Sequence, residues 1–562
     1  MKTANGLAGA PSRHTPWPEA DARRYRQRGY WRDVPLGSEF LAQVDRTPTH
    51  TALIDGADQW SYRQLADAVD LLAVQLIDRG LRGGQVLVTQ LPNVAEFVIL
   101  TLASFRIGVV PVMALPQHRQ AEIGYLLKFT QAHAYALPER YRDYDYRTLA
   151  VEVADDAPAL RHVLFQGGSA HDGLSAMCRR PGDVQAARHL VEQHRPSGDD
   201  VALLLLSGGT TGRPKLIPRT HNDYAYNART TARACEVDEN TVYLVALPAA
   251  HNFALACPGI LGVLLSGGTV VMSDSPSPAK TFALIERHRV THTAAVPAVA
   301  HRWAQAAADE QADLTSLRSL AVGGSRLAPE LARRVEAALN VRVQQGFGMA
   351  EGLINYTLLD DPEEVRHQTQ GRPVSPDDEI RIVDARGHDV PTGEPGELLT
   401  RGPYTIRGYY RAAEQNQRSF TSDGWYRSGD IVRWHPSGNL TVEGRVKDII
   451  NRAGEKISAE EIENLAYKHP SITNAAAVPL PDPVLGERVC LYVVSREASE
   501  PTLESIRRFM TQAGTAVYKL PEILHVVPAL PTTNVGKIDK QALRADAEIR
   551  ARENQSTQER KP

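Results

Sequence analysis

A glycine-rich stretch at 206–215, LSGGTTGRPK, follows a short apolar run and carries groups that could hold phosphate. Its glycines free the backbone to turn N–H groups toward an anion. Ser207, Thr210 and Thr211 would add hydroxyl donors, and Lys215 would add a mobile positive charge. The spacing is not the G-x-x-x-x-G-K-[ST] of a P-loop. The stretch predicts a phosphate-binding loop of another kind; the alternative is a flexible loop between strands.

Four further stretches place charged side chains beside glycines. They are QQGFGMAE at 344–351, YRSGD at 426–430, GRVKD at 444–448 and PTTNVGK at 531–537. Each stretch alone is an ordinary turn with charged residues. Their joint occurrence in this order is not expected by chance, so they are taken together as one site.

Composition limits the kinds of protein that could carry this site. The chain has 562 residues, 42% hydrophobic and 23% charged, with a formal net charge of −3. This length predicts more than one domain, and the near-neutral charge disfavours nucleic acid or an anionic membrane as partner. The four cysteines are far apart and form no C-x-x-C, which argues against a disulfide scaffold or a zinc cluster. No signal-peptide core or membrane span is evident, so a cytoplasmic protein is predicted.

The first half of the chain alternates helices with short apolar strands. Ser61 and Gln64 have capping-box spacing before a helix that should end at Gly80. A strand at 85–91, a helix at 95–106 and a strand at 109–113 then follow, and the same rhythm returns at 241–300. Such β-α-β units predict an α/β fold with parallel sheets.

The pattern changes after about residue 375, where segments become short and β-rich. From about 446 a small α+β unit begins, with a second candidate capping box at Ser458 and Glu461. The polar residues 548–562 are expected to fray. We therefore predict an N-terminal domain over 1–446 and a small C-terminal domain over 447–562.

Together these motifs resemble the adenylate-forming superfamily, which comprises acyl- and aryl-CoA synthetases, carrier-protein-loading adenylation domains and firefly-type luciferases. The resemblance covers the chain from about 30 to 545. It implies that a carboxylate attacks the α-phosphate of ATP, with Mg²⁺ as cofactor, to give an acyl-adenylate and pyrophosphate before transfer to a thiol. The implied fold is a large N-terminal domain of β-sheets packed with helices and a small, mobile α+β lid.

The resemblance also implies roles for single residues. Lys537 would bridge the carboxylate and the α-phosphate, Glu351 would help to hold Mg²⁺, and Asp430 would accept hydrogen bonds from the ribose with Arg445 nearby. Lys447 matches the hinge position; the alternative is a surface lysine in a turn. The phosphates would be held by Ser207, Gly208, Gly209, Thr210, Thr211 and Lys215, and adenine would be lined by Gly323, Gly324, Ser325, Gln345, Gly346 and Phe347.

One departure from the superfamily pattern narrows the resemblance. Threonine commonly precedes the magnesium-site glutamate, whereas this chain has Ala350. The stretch FGMAEG at 347–352 resembles the free-standing aryl-acid AMP ligases, which activate salicylate or 2,3-dihydroxybenzoate for siderophore and related pathways. An aryl acid is therefore the predicted substrate.

The acid pocket implied by this resemblance is small, flat and mostly apolar. Asn252 stands where amino-acid-activating domains usually have Asp, and its neutral amide could donate to a phenolic oxygen ortho to the carboxylate. His251 would lie at the mouth and move with the adenylation step; the alternative is a helix-start histidine packed in the core. The implied pocket residues are Asn252, Phe253, Cys257, Gly324, Ala350 and Ile354.

Cys257 is the residue expected to separate the two acids. Ligases for 2,3-dihydroxybenzoate tend to carry serine at the matching position, and those for salicylate tend to carry cysteine. Serine can hydrogen-bond a 3-hydroxyl, whereas a thiol is larger and a poor donor. Salicylate is therefore the predicted acid, and 2,3-dihydroxybenzoate is the alternative.

The thiol acceptor stays open at this point. A phosphopantetheine thiol of an aryl carrier protein and free CoA both fit the sequence. A nucleotide-binding regulator without catalysis is disfavoured because Lys537, Asp430 and Glu351 are all present. An ATPase or kinase is disfavoured by the missing P-loop spacing.

Overall fold

The structure is a computed structural model that describes residues 14–167, 173–207, 214–307, 312–452, 455–482, 485–496, 500–513, 515, 517–533 and 536–559. Its α-helices are α1 Glu19–Gln27, α2 Leu36–Arg46, α3 Tyr62–Asp78, α4 Ala95–Ile107, α5 Gln120–Thr130, α6 Tyr146–Ala154, α7 Leu174–Cys178, α8 Val184–Glu192, α9 His221–Ala234, α10 Asn252–Ala256, α11 Gly259–Ser266, α12 Pro278–His288, α13 Pro297–Ala306, α14 Pro329–Leu339, α15 Glu363–Gln368, α16 Ala413–Ser419, α17 Ala459–Tyr467, α18 Leu503–Gln512 and α19 Lys540–Glu559. Short 3-10 helices span Val446–Asp448 and Val517–Lys519.

The strands follow the same chain order. They are β1 Thr51–Asp55, β2 Asp58–Ser61, β3 Val86–Thr89, β4 Val110–Met113, β5 Ala134–Pro138, β6 Arg140–Tyr141, β7 Tyr144–Asp145, β8 His162–Gln166, β9 Val201–Leu206, β10 Leu216–Thr220, β11 Val242–Val245, β12 Thr269–Met272, β13 His292–Ala295, β14 Ser319–Gly323, β15 Arg342–Gly348, β16 Ile354–Tyr356, β17 Arg372–Pro373, β18 Glu379–Val383, β19 Gly396–Arg401, β20 Tyr426–Trp434, β21 Leu440–Arg445, β22 Ile449–Arg452, β23 Glu455–Ser458, β24 Ile472–Asp482, β25 Gly486–Ser495 and β26 Ile523–Val526.

Two large sheets form the first part of the chain. One has the order β17-β16-β15-β14-β13-β11-β12-β1-β2, and the other has the order β10-β9-β4-β3-β5-β8. Neighbours from β15 through β14, β13, β11 and β12 to β1 are parallel, as are β8, β5, β3, β4 and β9. One hydrophobic core joins side chains of both sheets with α3 and α4, and α4 is buried along its whole length. The predicted α/β fold with parallel sheets is confirmed.

Local signals account for helix α3 and for the β-α-β unit at 86–113 that follows it. The Ser61 side chain accepts from the Gln64 N–H while the Gln64 side chain accepts from the Ser61 N–H, which makes the predicted capping box. Gly80 follows the helix with φ +84°, a conformation that favours glycine. Strands β3 and β4 pair in parallel with Val86 opposite Val110.

Two smaller sheets follow. Strands β18-β19-β20-β21 form an antiparallel sheet, and β23-β22-β25-β24 form another to which β26 adds in parallel beside β25. The latter sheet packs against α17 and α18 around its own core, which includes Ile450, Ile462 and Leu491. The 3-10 helix Val446–Asp448 joins the two sheets. A domain division at 446/447 stays our proposal, and the side chain of Lys447 lies outside the described residues.

Two details of the C-terminal part differ from the sequence prediction. Ser458 caps α17 by accepting from the Glu461 N–H, but the Glu461 carboxylate bonds to Lys519 at 2.7 Å instead of turning back to the cap. Helix α19 continues to Glu559, whereas fraying was expected from 548. Leu543 and Ala547 anchor the helix on the core beside β24 and β25, and Ala551 extends that contact beyond 548. Within the described ranges, no helix has the length and apolar character needed to span a membrane.

Candidate active site

The candidate site lies at the carboxyl-terminal edge of the nine-stranded sheet. Residues 246–257 follow β11, Val296 follows β13, and Gly324 and Ser325 follow β14. The carboxyl ends of parallel strands meet at one edge, which is where α/β sheets bind ligands. This topology brings together side chains that are far apart in the sequence.

Lys537 reaches this edge from the loop before α19. A Cβ built on Gly324, which has φ +85°, would lie 3.1 Å from Lys537 Cε and 3.9 Å from its Nζ. A Cβ on the neighbouring Gly536 would lie 3.2 Å from Val296 Cγ2. The loop from the C-terminal part thus packs against the end of β14, and the positive φ of Gly324 is a conformation that favours glycine beside the lysine.

His251 lies within electrostatic range of Lys537. Burial, and to a lesser extent the positive charge of Lys537, lowers the pKa of His251 to about 4. His251 also occupies the N-cap of α10, where Nδ1 accepts from the Phe253 N–H at 3.3 Å. The imidazole is therefore neutral at pH 7. A positive charge on it would be disfavoured by burial and by the nearby lysine. Lys537, Gly324 and His251, all predicted site residues, are brought together.

A buried polar cluster lies beside His251. Asn252 is 7% exposed and Cys257 is 2% exposed. The Asn252 Oδ1 accepts from the Tyr224 hydroxyl at 2.8 Å, and its Nδ2 donates to the Cys257 sulfur at 3.4 Å. The Asn227 Nδ2 lies 3.7 Å from the same sulfur. Burial raises the pKa of Cys257 to about 11, so the thiol stays protonated and is not a nucleophile.

Glycines keep the neighbouring strand ends flat. Gly323 on β14 pairs with Gly346 on β15, and a Cβ on Gly323 would lie 3.1 Å from the Phe253 ring. A Cβ on Gly346 would lie 2.7 Å from the ring of Tyr356. These close approaches leave a platform of backbone and ring edges that a planar ligand can contact.

The remaining predicted pocket and adenine residues surround this platform. Ser325 is exposed, Phe347 is partly buried on β15, and Ile354 is buried on β16 opposite Gly348. The structure places the Gln345 side chain behind β15, where its Nε2 donates to the carbonyl of His367 at 2.8 Å. Gln345 therefore braces the segment after α15, and only its backbone belongs to the platform.

Glu351 follows Ala350 in the turn after β15 and is 8% exposed. Its Oε1 accepts from the Tyr409 hydroxyl at 2.8 Å. The Nζ of Lys215 lies 4.7 Å from the centre of the Tyr409 ring. Burial lowers the pKa of Lys215, while the Glu351 carboxylate opposes that change. A carboxylate, a lysine and a phenol thus meet in one corner, where a hard cation with its phosphate ligands fits the donor set.

The base of the predicted phosphate loop is the hairpin of β9 and β10. The Ser207 N–H donates to the Lys215 carbonyl at 2.9 Å, and the Lys215 N–H donates to the Ser207 hydroxyl at 3.1 Å. These bonds close the loop at its two ends. The predicted phosphate ligands Gly208, Gly209, Thr210 and Thr211 lie outside the described residues.

Asp430 and Arg445 face each other on β20 and β21. The Arg445 Nε donates to Asp430 Oδ1 at 2.6 Å, and the carboxylate raises the pKa of Arg445 still further. The other oxygen, Oδ2, is buried without a hydrogen-bond partner among the described residues. A buried acceptor normally has a donor. Ribose hydroxyls are donors of the required kind, so this carboxylate fits the predicted nucleotide.

Sequence reasoning missed several polar residues behind the site. Arg219 is fully buried, pairs with Asp223 at 2.6 Å and donates to the Ala350 carbonyl at 3.0 Å. Tyr224 and Asn227 lie one turn apart on the buried face of α9. The available signal was the pair of polar residues at 223 and 227, four apart on a helix that follows the charged Arg219 of β10.

Known protein families match most of the chain. The sequence profile of the AMP-binding enzyme family matches residues 40–410, and that of the AMP-binding enzyme C-terminal domain matches residues 461–537. A salicylyl-CoA synthase / salicylate adenylyltransferase of Streptomyces sp. is 54% identical and covers 94% of this chain and 96% of its own. The 2,3-dihydroxybenzoate-AMP ligase of Bacillus subtilis is 47% identical, with 94% and 97% covered. The apo structure of Mycobacterium smegmatis MbtA is 46% identical, with 95% and 98% covered and a TM-score of 0.72. The chain belongs to the AMP-binding enzyme family, and its resemblance to the aryl-acid AMP ligases of the adenylate-forming superfamily is confirmed.

Proposed function

We propose that this protein activates salicylate with ATP, giving salicyl-AMP and pyrophosphate, and then passes the acyl group to a thiol. The observation that carries the proposal is the position of Lys537. Its side chain lies against Gly324, and its charge lowers the pKa of His251, which is next to the Asn252 and Cys257 cluster. This position supports a positive charge close to the proposed acid pocket, as the reaction requires.

Each residue has a physical role in the first step. A carboxylate is a weak nucleophile and is repelled by the triphosphate, so the site must offset that repulsion. Lys537 supplies a positive charge between the two reacting groups, and neutral His251 adds no competing charge. Asp430 accepts from the ribose, and Lys215 with Ser207 holds phosphate oxygens. Glu351 would hold Mg²⁺, which when bound neutralises phosphate charge.

The choice of salicylate rests on the Asn252 and Cys257 pair. The Asn252 amide can donate to a phenolic oxygen, and Cys257 offers a sulfur that is a poor donor for a further hydroxyl. The names of the two relatives given above include a salicylate and a 2,3-dihydroxybenzoate enzyme, so the alternative acid is 2,3-dihydroxybenzoate. A siderophore or related natural-product pathway would consume either product.

The acceptor that we propose is the phosphopantetheine thiol of an aryl carrier protein. Free CoA is the alternative, and it is favoured by the name of the Streptomyces relative, a salicylyl-CoA synthase. The two thiols share the same reacting end and differ in what surrounds it, a folded protein in one case and a nucleotide in the other.

The test is acid-dependent exchange of labelled pyrophosphate into ATP. Salicylate should lead a panel of 2,3-dihydroxybenzoate, benzoate, anthranilate, amino acids and fatty acids, and Lys537→Ala should abolish most of the exchange. Lys280→Ala is the matched control, because Lys280 is an exposed lysine that forms an ion pair with Asp274. Exchange with no acid would refute the proposal. Adding CoA or a pantetheinylated carrier protein and following thioester formation then decides the acceptor.

A further inference from the structure

A layer of buried polar side chains lies directly behind the acid pocket. Arg219, Asp223 and Asn227 are spaced four residues apart and each is 0% exposed. Arg219 lies at the end of β10 and the other two on α9, and Tyr224 of the same helix is also 0% exposed. Buried polar groups are costly unless hydrogen-bonded, so the way in which these groups pair decides which atoms face the pocket.

The Tyr224 hydroxyl fixes the orientation of the Asn252 amide. This hydroxyl lies 2.8 Å from Asn252 Oδ1 and donates to it. Burial raises the pKa of Tyr224, so the hydroxyl keeps its proton at neutral pH. The Arg219 guanidinium lies 4.8 Å from the centre of the Tyr224 ring, in a cation–π contact that helps to hold the ring in place. With its oxygen held by Tyr224, the amide must turn its nitrogen toward Cys257 and the pocket.

A second amide is turned in the same way. Arg219 donates to Asn227 Oδ1 at 3.4 Å, and Asn227 Nδ2 donates to the Ala256 carbonyl at 2.7 Å and lies 3.7 Å from the Cys257 sulfur. The sulfur therefore faces N–H groups from two sides. An amide nitrogen carries two hydrogens. One of those on Asn252 is directed at the sulfur, and the other makes no hydrogen bond to a described residue.

We propose that Tyr224 is a positioning residue that holds the Asn252 amide with its N–H outward, so that the pocket selects benzoates whose ortho group is a hydrogen-bond acceptor. This inference rests on the proposed function. The phenol proton of salicylate bonds to its own carboxylate and leaves oxygen lone pairs for the amide. The amino group of anthranilate keeps one N–H pointing outward, which would meet the amide N–H head-on.

The test compares kcat/KM for salicylate, anthranilate and benzoate in the exchange assay for the wild type and Tyr224→Phe. The wild type should prefer salicylate to anthranilate. Loss of one neutral hydrogen bond should lower that preference about three- to tenfold, because the freed amide can present either end. Benzoate, which has no ortho group, should change less than salicylate. Tyr243→Phe is the control, since the Tyr243 hydroxyl is buried with no hydrogen-bond partner among the described residues.

The outcomes separate this inference from the proposed function. An unchanged salicylate-to-anthranilate ratio in folded Tyr224→Phe, or an equal loss with all three acids, would overturn the positioning role. If that variant does not fold, the wild-type panel decides: anthranilate used as well as salicylate overturns the inference, and a clear salicylate preference supports it. Exchange with no acid by the wild type would instead refute the proposed function itself.

Discussion

Replacing Cys257 by serine should move the acid preference from salicylate toward 2,3-dihydroxybenzoate. The sulfur is buried and receives Asn252 Nδ2 at 3.4 Å, with Asn227 Nδ2 at 3.7 Å. A serine oxygen in this place would accept from the same two amides. Because both amides are donors, the serine would keep its own proton for a ligand, whereas a thiol is a weak donor.

The size of this change follows from the hydrogen bonds available to a 3-hydroxyl. In the wild type that hydroxyl leaves water and meets a sulfur that already faces two N–H groups. Serine would supply a neutral hydrogen bond worth about 0.5–1.5 kcal/mol and remove part of the cost of an unpaired hydroxyl. The combined shift in relative transition-state binding is about 1–2 kcal/mol, or about five- to thirtyfold in the ratio of kcat/KM values.

The assay is pyrophosphate exchange with both acids at saturating ATP, reported as the ratio of the two kcat/KM values. Cys178→Ser is the control, because Cys178 is also a buried free thiol but lies on α7. If the ratio does not move in Cys257→Ser, or moves equally in Cys178→Ser, the argument that the sulfur excludes a 3-hydroxyl is refuted.

Three further changes test the nucleotide site and the buried histidines. Asp430→Asn should raise the KM for ATP about tenfold and leave that for the acid unchanged, since a charged acceptor for the ribose is lost; the exposed Asp389→Asn should change neither. Tyr409→Phe removes the 2.8 Å bond to Glu351 and should raise the Mg²⁺ concentration for half-maximal exchange severalfold, and an unchanged Mg²⁺ titration would contradict the proposed metal role. Burial lowers the pKa of His221 to about 3, so below pH 6.5 the unfolded chain gains a proton that the folded chain does not bind. The free energy of unfolding should therefore fall from pH 7 to pH 5, by roughly 2 kcal/mol for this group, and His221→Asn should flatten that fall in denaturant titrations.

Elements defined by local signals could be predicted from the sequence. The capping box at Ser61, the helix that it starts and the strands on either side of α4 depend on residues within a few positions of one another. The second predicted capping box has only the bond from the Glu461 N–H to the Ser458 side chain. The return bond from the Glu461 side chain was predicted wrongly, because that carboxylate pairs with Lys519, which is 58 residues away. The part of helix α19 beyond 548 was not predicted, because the helix is held by packing against β24 and β25, which its own polar sequence does not reveal.

The site shows the same division. The motif residues were available from spacing and resemblance, and their roles stay predictions. The groups that orient them were not available, because each contact joins distant parts of the chain: Tyr224 to Asn252, Tyr409 to Glu351, and Arg219 to Ala350, 131 residues apart. A buried tyrosine or arginine has no local signal that tells which side chain it will meet.

The residues proposed to select the acid lie before residue 446, and the lysine proposed to activate it lies after. The groups around Asn252 and Cys257 all belong to the first part, and their hydrogen bonds to α9 involve nothing after residue 446. Lys537 alone among the proposed catalytic residues belongs to the C-terminal part, in the loop before α19, and its side chain lies against Gly324. An ion pair from Arg326 to Glu460 at 3.6 Å also joins the two parts near this point. If the groups around Asn252 select the acid and Lys537 activates it, as proposed, a movement of the C-terminal part that withdraws the lysine would stop adenylation without dismantling the acid pocket. A thiol could then approach an acyl group that the pocket still holds.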